Sequence, residues 1–212
     1  MGSQKFDTGL SLAQRTLIRR ALVAHLGTAP TGRGTPLLAT AGGYLAAIGE
    51  LPRPMRSGSE EELALLGQAL QGVVSPALAV ALGDQEFSAV GMGGETYVGE
   101  LELAVYAVSG NMLSFVAGRL EPDALADTDP TADPGIDTML EHVHELLSGR
   151  DLDIPTVQQL RPRSEREVAT DPEISIWELR FVLGVDASID PQRAVSPVKR
   201  GLDVNGTPEN HP

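Results

Sequence analysis

The sequence predicts an α+β domain, a mixed and mostly antiparallel sheet flanked by helices, with the domain over residues 11–186 and extended arms over residues 1–10 and 187–212. Three observations lead there. Large aliphatic residues recur every three to five positions around Leu22 and around Val143, as one buried face of a helix requires. They recur at every second position around Val105 and Phe181, as strands with one face on a core require. Beyond Asp186 neither period persists: Pro191, Pro197 and Pro208 arrive with few large apolar residues, a composition that cannot bury a core of its own.

Taken in order, Leu12, Leu17, Ile18, Ala21, Leu22, His25 and Leu26 make one stripe on a helix over residues 11–26, which Gly27 is expected to stop. Residues 27–36 hold three glycines and two prolines and read as a loop. A second, short helical segment is expected over residues 39–50. Ser59, followed three positions later by Glu62, is a capping-box pattern, and Leu63, Leu66, Ala69 and Leu70 continue one face, so a helix is expected over residues 60–71. The apolar run Ala77, Leu78, Ala79, Val80, Ala81, Leu82 reads as a strand buried on both faces and closed by Gly83 and Asp84.

Residues 86–90 and 97–109 flank Gly91, Met92, Gly93 and Gly94 as a hairpin. Leu101, Leu103, Val105 and Ala107 share one side of it. Glu100, Glu102, Ala104 and Tyr106 share the other, which is expected to meet solvent or a partner. Residues 112–120 fit strand or helix, and residues 121–133, rich in Pro, Ala and Asp, read as a connector long enough to cover or border something. Ile136, Met139, Leu140, Val143, Leu146 and Leu147 form another strong helical stripe, stopped at Gly149. Residues 156–163 read as a short polar edge strand, and residues 174–185 alternate Trp177, Leu179, Phe181, Leu183 and Val185 against Ile176, Glu178, Arg180 and Val182. The faces carrying Phe181 and Val143 are expected to pack together.

A chain of 212 residues holds one substantial core and buries roughly 70% of its unfolded surface. Aromatics are 4% and Trp177 is the single tryptophan, so the core falls to Leu, Val, Ala and Ile. The absence of cysteine excludes a disulfide framework, a thiolate nucleophile and Cys-based metal sites, and it fits a reducing compartment. Residues 1–16 show no basic stretch followed by an apolar core and cleavage site. No apolar run approaches the ~20 residues that span a bilayer, so a soluble protein without a signal peptide is expected. A formal charge of -13 argues against tight duplex binding, because that affinity comes from Lys and Arg displacing condensed counterions.

No constellation for catalysis emerges, and the expected catalytic, cofactor and metal residues are none. Glu141 and His144 have the Glu-x-x-His spacing of carboxylate-bridged metal bundles, but no second helix supplies matching ligands. The other histidines near or far, His142, His25 and His211, read with His144 as surface or interface groups. Gly32-Arg33-Gly34 lacks the Gly-Lys-Ser/Thr ending of a phosphate loop and reads as linker. Gly91 to Gly94 is a hairpin connection before it is a nucleotide loop, and Asn205-Gly206-Thr207 is a turn. No serine stands in a Gly-x-Ser-x-Gly elbow; Ser109 and Ser148 precede glycines where a strand and a helix end. Glu100 and Glu102 are paired acids on one strand face, which alone implies no acid–base chemistry.

The order of elements, helices first, then a hairpin, a long helix and two closing strands, resembles the tail-terminator, or tail-completion, proteins of long-tailed bacteriophages, of the Mu-like type. The likeness is strongest in Gly135-Ile136-Asp137-Thr138-Met139-Leu140-Glu141-His142-Val143-His144-Glu145-Leu146-Leu147-Ser148-Gly149, similar to that family's helix and its closing turn. A polar strand follows, then the aromatic-bearing strand Ile176-Trp177-Glu178-Leu179-Arg180-Phe181. Residues 77–82 and 101–108 stand where the family places its central strands, so the likeness covers residues 11–186; the insert at 27–36 and the arm after Asp186 go beyond the family's minimal pattern.

The resemblance implies a non-enzymatic virion protein of the tail-neck region, assembled in the host cytoplasm, that needs no cofactor. It implies a hexameric ring that caps the head-proximal end of the tail tube. Its partners are then copies of itself, the tail tube protein, neck or head-connector proteins and, in a contractile tail, the sheath protein; DNA passes through without specific binding. Within that reading, Glu100, Glu102, Asp123, Asp127, Asp129 and Asp133 are candidates to line the channel and repel DNA, or else they face solvent outside the ring. Pro191, Arg193, Pro197, Lys199 and Arg200 mark an arm suited to partner contact by strand or arm exchange. Two other readings stand beside it: another neck, head-completion or sheath-associated subunit, and, in a different class, a small α/β enzyme or ligand-binding domain.

Overall fold

A computed structural model describes residues 12–32, 34–72, 75–90, 96–110, 133–152, 157–170 and 174–188. Expectations placed on residues 1–11, Arg33, Gly91 to Gly94, residues 112–120, Asp123, Asp127, Asp129, Pro191, Arg193, Pro197, Lys199, Arg200, residues 205–207 and His211 lie outside the described residues.

The alternating and continuous apolar runs build one mixed sheet. Its strands are β1 Ala47–Leu51, β2 Ala77–Val90, β3 Thr96–Ser109, β4 Val157–Thr170 and β5 Ser175–Ser188, in the spatial order β1-β2-β3-β5-β4. β1 runs parallel to β2, and every other pairing is antiparallel. Among the described residues the α-helices are α1 Leu12–Thr28, α2 Glu60–Ala69 and α3 Ile136–Leu147. The protein is thus α+β, with a mostly antiparallel mixed sheet flanked by helices. Among the described residues no helix is long and apolar enough to cross a membrane.

Because side chains alternate along a strand, the sheet builds two cores. On one face Leu78 and Val80 of β2, Leu103 and Val105 of β3, and Leu179 and Phe181 of β5 pack with Ile18 and Leu22 of α1 and Met139 and Val143 of α3. The expected packing of Phe181 against the α3 stripe is present, and Trp177 sits partly buried at its margin. On the other face Ala77, Ala79, Ala81, Ala104 and Tyr106 pack under Leu66 and Leu70 of α2. Alanine there lets α2 approach closely, and so does Gly49 of β1, where a Cβ would lie 2.5 Å from the Ala69 carbonyl oxygen. The first half of β2, Ala77 to Leu82, is accordingly buried on both faces, as its unbroken apolar run required.

The capping pattern also forms. Ser59 Oγ accepts the Glu62 N–H, while the Glu62 carboxylate turns back onto the preceding loop and accepts the N–H groups of Arg56, Ser57 and Gly58 at 2.9, 3.0 and 2.9 Å. Those backbone donors, Arg56 first and then Ser57, hold the Glu62 carboxyl down to about 2.

Six expectations are corrected. Residues 39–50 form a single 3-10 turn, Ala39–Ala41, and then β1, in place of a helix. Gly42 takes a left-handed φ of 98° and breaks any helix, after which pairing with the β2 edge overrides the helix preference of the alanines. Gly27 lies inside α1 and does not end it. Gly83 and Asp84 do not close β2; the strand passes through them with a bulge between Leu82 and Gln85. β3 is not open along its whole second side, since Ala104 and Tyr106 are buried beneath α2 and the loop after β1. β4 is the edge strand expected but is 14 residues long, and β5 reaches Ser188 by pairing with Thr96, past the expected end of the pattern at Asp186.

Candidate functional site

Three pieces of chain meet where β1 stops. Leu51, its last residue, pairs with Ala81, so the next outward-facing carbonyls of β2 have no strand partner. Arg15 of α1 reaches around the edge and donates to both, to Gly83 O at 2.6 Å and Leu82 O at 3.4 Å. Space at the bulge is tight, since a Cβ on Gly83 would lie 3.1 Å from Glu102 Cβ and 3.2 Å from the Pro54 ring. The loop over residues 52–56 then folds across the second face of the sheet. Together these enclose an open cleft of about 520 Å³ whose wall carries Arg15, Arg53, Arg56 and Arg180 against Asp84 and Glu102.

A buried charge network beneath the cleft fixes its wall. Tyr106, Glu178 and Arg166 lie opposite one another on β3, β5 and β4. Glu178 is 0% exposed and accepts from the Tyr106 hydroxyl, from Arg166 Nε and from Arg180 Nε and Nη2. Burial by itself raises the Glu178 pKa, but the bonds from Arg166, Arg180 and Tyr106 outweigh it and hold the carboxyl below its ordinary value. The same carboxylate raises the Arg180 pKa, and burial followed by the Glu178 bond raises that of Tyr106. The network then grips the loop. Met55 N–H donates to the Tyr106 hydroxyl at 2.6 Å, and Arg166 donates to the carbonyls of Met55 and Arg56 at 3.0 and 3.3 Å.

Of the acids singled out from the sequence, Glu100 is exposed and Glu102 partly buried on the same sheet face. The register brings each a basic partner from far along the chain, Arg161 to Glu100 at 2.7 Å and Arg180 to Glu102 at 2.9 Å. Asp133 works as a clasp: its carboxylate accepts from Ser75, Ser109, Gly110 N–H and Gly135 N–H, tying the end of β3 to the start of α3.

Of the histidines near α3, His142 is buried, while His25 and His144 are partly exposed and tied to neighbouring elements. His25 donates to the Leu146 carbonyl at 2.9 Å, buried His142 shares a hydrogen bond with the Tyr44 hydroxyl, and His144 pairs with Glu165 of β4. Among the described residues no group of three or more His, Asp or Glu is placed to hold a metal ion.

The sequence reading missed the arginine cleft. Its only local signal is Pro52-Arg53-Pro54 with Arg56 close behind; Arg15 and Arg180 join from remote positions. No family model matches the chain, and no curated protein sequence matches it.

Proposed function

We propose that the chain is a structural subunit of a ring, of the tail-terminator type, that closes the head-proximal end of a bacteriophage tail tube and joins it to the neck. What supports the reading is the element order. A leading helix, a long antiparallel hairpin, a crossing helix and two closing strands follow one another as in the family resembled. A ring of this kind needs no catalysis. It works by presenting one surface to its own copies and others to the tube and connector, with DNA passing through without specific binding. The exposed edge strand β4, with Arg161, Arg163, Glu165 and Glu167 along it, fits a surface protected from unselective strand pairing.

The test is direct. The purified full chain, alone and mixed with tail tube protein, is measured by light scattering and imaged by negative-stain electron microscopy. Six-fold rings, or rings capping tube ends, are expected. A chain that stays monomeric under both conditions at concentrations of tens of micromolar overturns the reading.

A further inference from the structure

The geometry points to a head-to-tail contact between copies of this chain, in which the arginine cleft of one subunit receives the acidic outer stripe of α3 of the next. The inference rests on the ring reading and names the surfaces that close the ring.

A chain of formal charge -13 repels its own copies, so a self-assembly must place some of its acids against cations. The cations are few, 16 in all, and four of them line this one cleft. Arg180 is engaged by Glu178 and Glu102. Arg15 is tied to two carbonyls, which leave its charge uncompensated. Arg53 and Arg56 have exposed guanidiniums that, among the described residues, make no hydrogen bond or ion pair. The backbone of Arg56 is nevertheless held by Arg166 and Glu62, and that of its neighbour Met55 by Tyr106. A loop with a fixed backbone carrying free arginines is partly preorganised for carboxylates, since only the arginine side chains remain to be ordered on binding.

The complementary surface is on the same chain. Asp137, Glu141 and Glu145 stand four apart on α3, all exposed, with no cation partner among the described residues. Like charges at that spacing repel along a helix, a repulsion that a cationic neighbour removes. The two surfaces also lie in opposite layers. α3 packs on the face of the sheet that holds Phe181, whereas the loop of Arg53 and Arg56 lies over the face that holds Tyr106. Complementary patches on opposite sides of a subunit join head to tail, and such contacts close into rings when the rotation per subunit allows.

Charge reversal tests this. One variant carries Arg53→Glu and Arg56→Glu; a second carries Glu141→Arg and Glu145→Arg, substitutions that favour the C-terminal half of a helix and so leave the fold intact. Circular dichroism and thermal melting first establish that both are folded. Self-association is then followed by sedimentation velocity and electron microscopy. Each variant alone is expected to associate at least about tenfold more weakly than the unaltered chain, because it faces like with like. An equimolar mixture is expected to restore rings, each reversed cleft meeting a reversed stripe. Folded variants that assemble as the unaltered chain does, or a mixture that fails to recover assembly, overturn the inference and leave the ring reading standing. An unaltered chain that forms no rings overturns the ring reading and this contact with it.

Discussion

Replacing Glu178 by glutamine removes the one carboxylate on which Tyr106, Arg166 and Arg180 converge. The substitution keeps the shape and one acceptor oxygen but turns an amide N–H₂ toward guanidinium donors. A hydrogen bond to a charged group is worth about 1.5–3 kcal/mol, and breaking a buried ion pair from one side costs about 3–5 kcal/mol. The structure places the effect toward the lower part of that range. Arg166 is 38% exposed and regains water, and Arg180 keeps its 2.9 Å bond to Glu102.

The expected loss is about 2–4 kcal/mol, read as a lower urea midpoint with an unchanged slope. Tyr106→Phe is the companion, since it strips the acceptor from Met55 N–H and the donor from Glu178 and should cost about 1–2 kcal/mol. In the double-mutant cycle the two changes should couple by about 1 kcal/mol or more, because they meet in one bond. A Glu178→Gln loss under about 1 kcal/mol, or additive effects in the cycle, refutes the account of Glu178 as the hub that holds the cleft wall.

Phe181 is fully buried between α3 and the sheet, opposite Leu103, so Phe181→Ala should cost about 3–5 kcal/mol; a change under about 1 kcal/mol in urea unfolding would mean the core is assigned wrongly. Glu62 adds a pH dependence with a definite sign. Its folded pKa is lowered from 4.5 to about 2, so its contribution is fully present above pH 4.5 and is lost as pH falls toward 2. The stability gap between the unaltered chain and Glu62→Gln should therefore narrow on acidification through that window, and a gap constant with pH would remove the backbone-capping role.

The sequence by itself determined the periodic elements. The stripes on α1 and α3, the Ser59 cap, the doubly buried run beginning at Ala77 and the alternation around Phe181 are each written in neighbouring residues, and burial of one face follows from them wherever the chain goes next. The stretch that became β1 was not legible. Five residues with one alanine and one glycine acquire their strand only by lying beside β2, an energy that exists in the paired state alone. The bulge at Gly83 likewise mimicked a turn, because glycine beside aspartate suits both.

The site belonged to the tertiary structure almost entirely. No neighbouring residue announces the partners of Glu100 and Glu102, because Arg161 and Arg180 are 61 and 78 residues away along the chain. Arg15 finds its carbonyls only because β1 ends one residue short of Leu82. A charge has no periodicity to betray its neighbour. Its environment is set by strand register and by which edge a short strand leaves open, and those are decided when the hydrophobic faces close on one another.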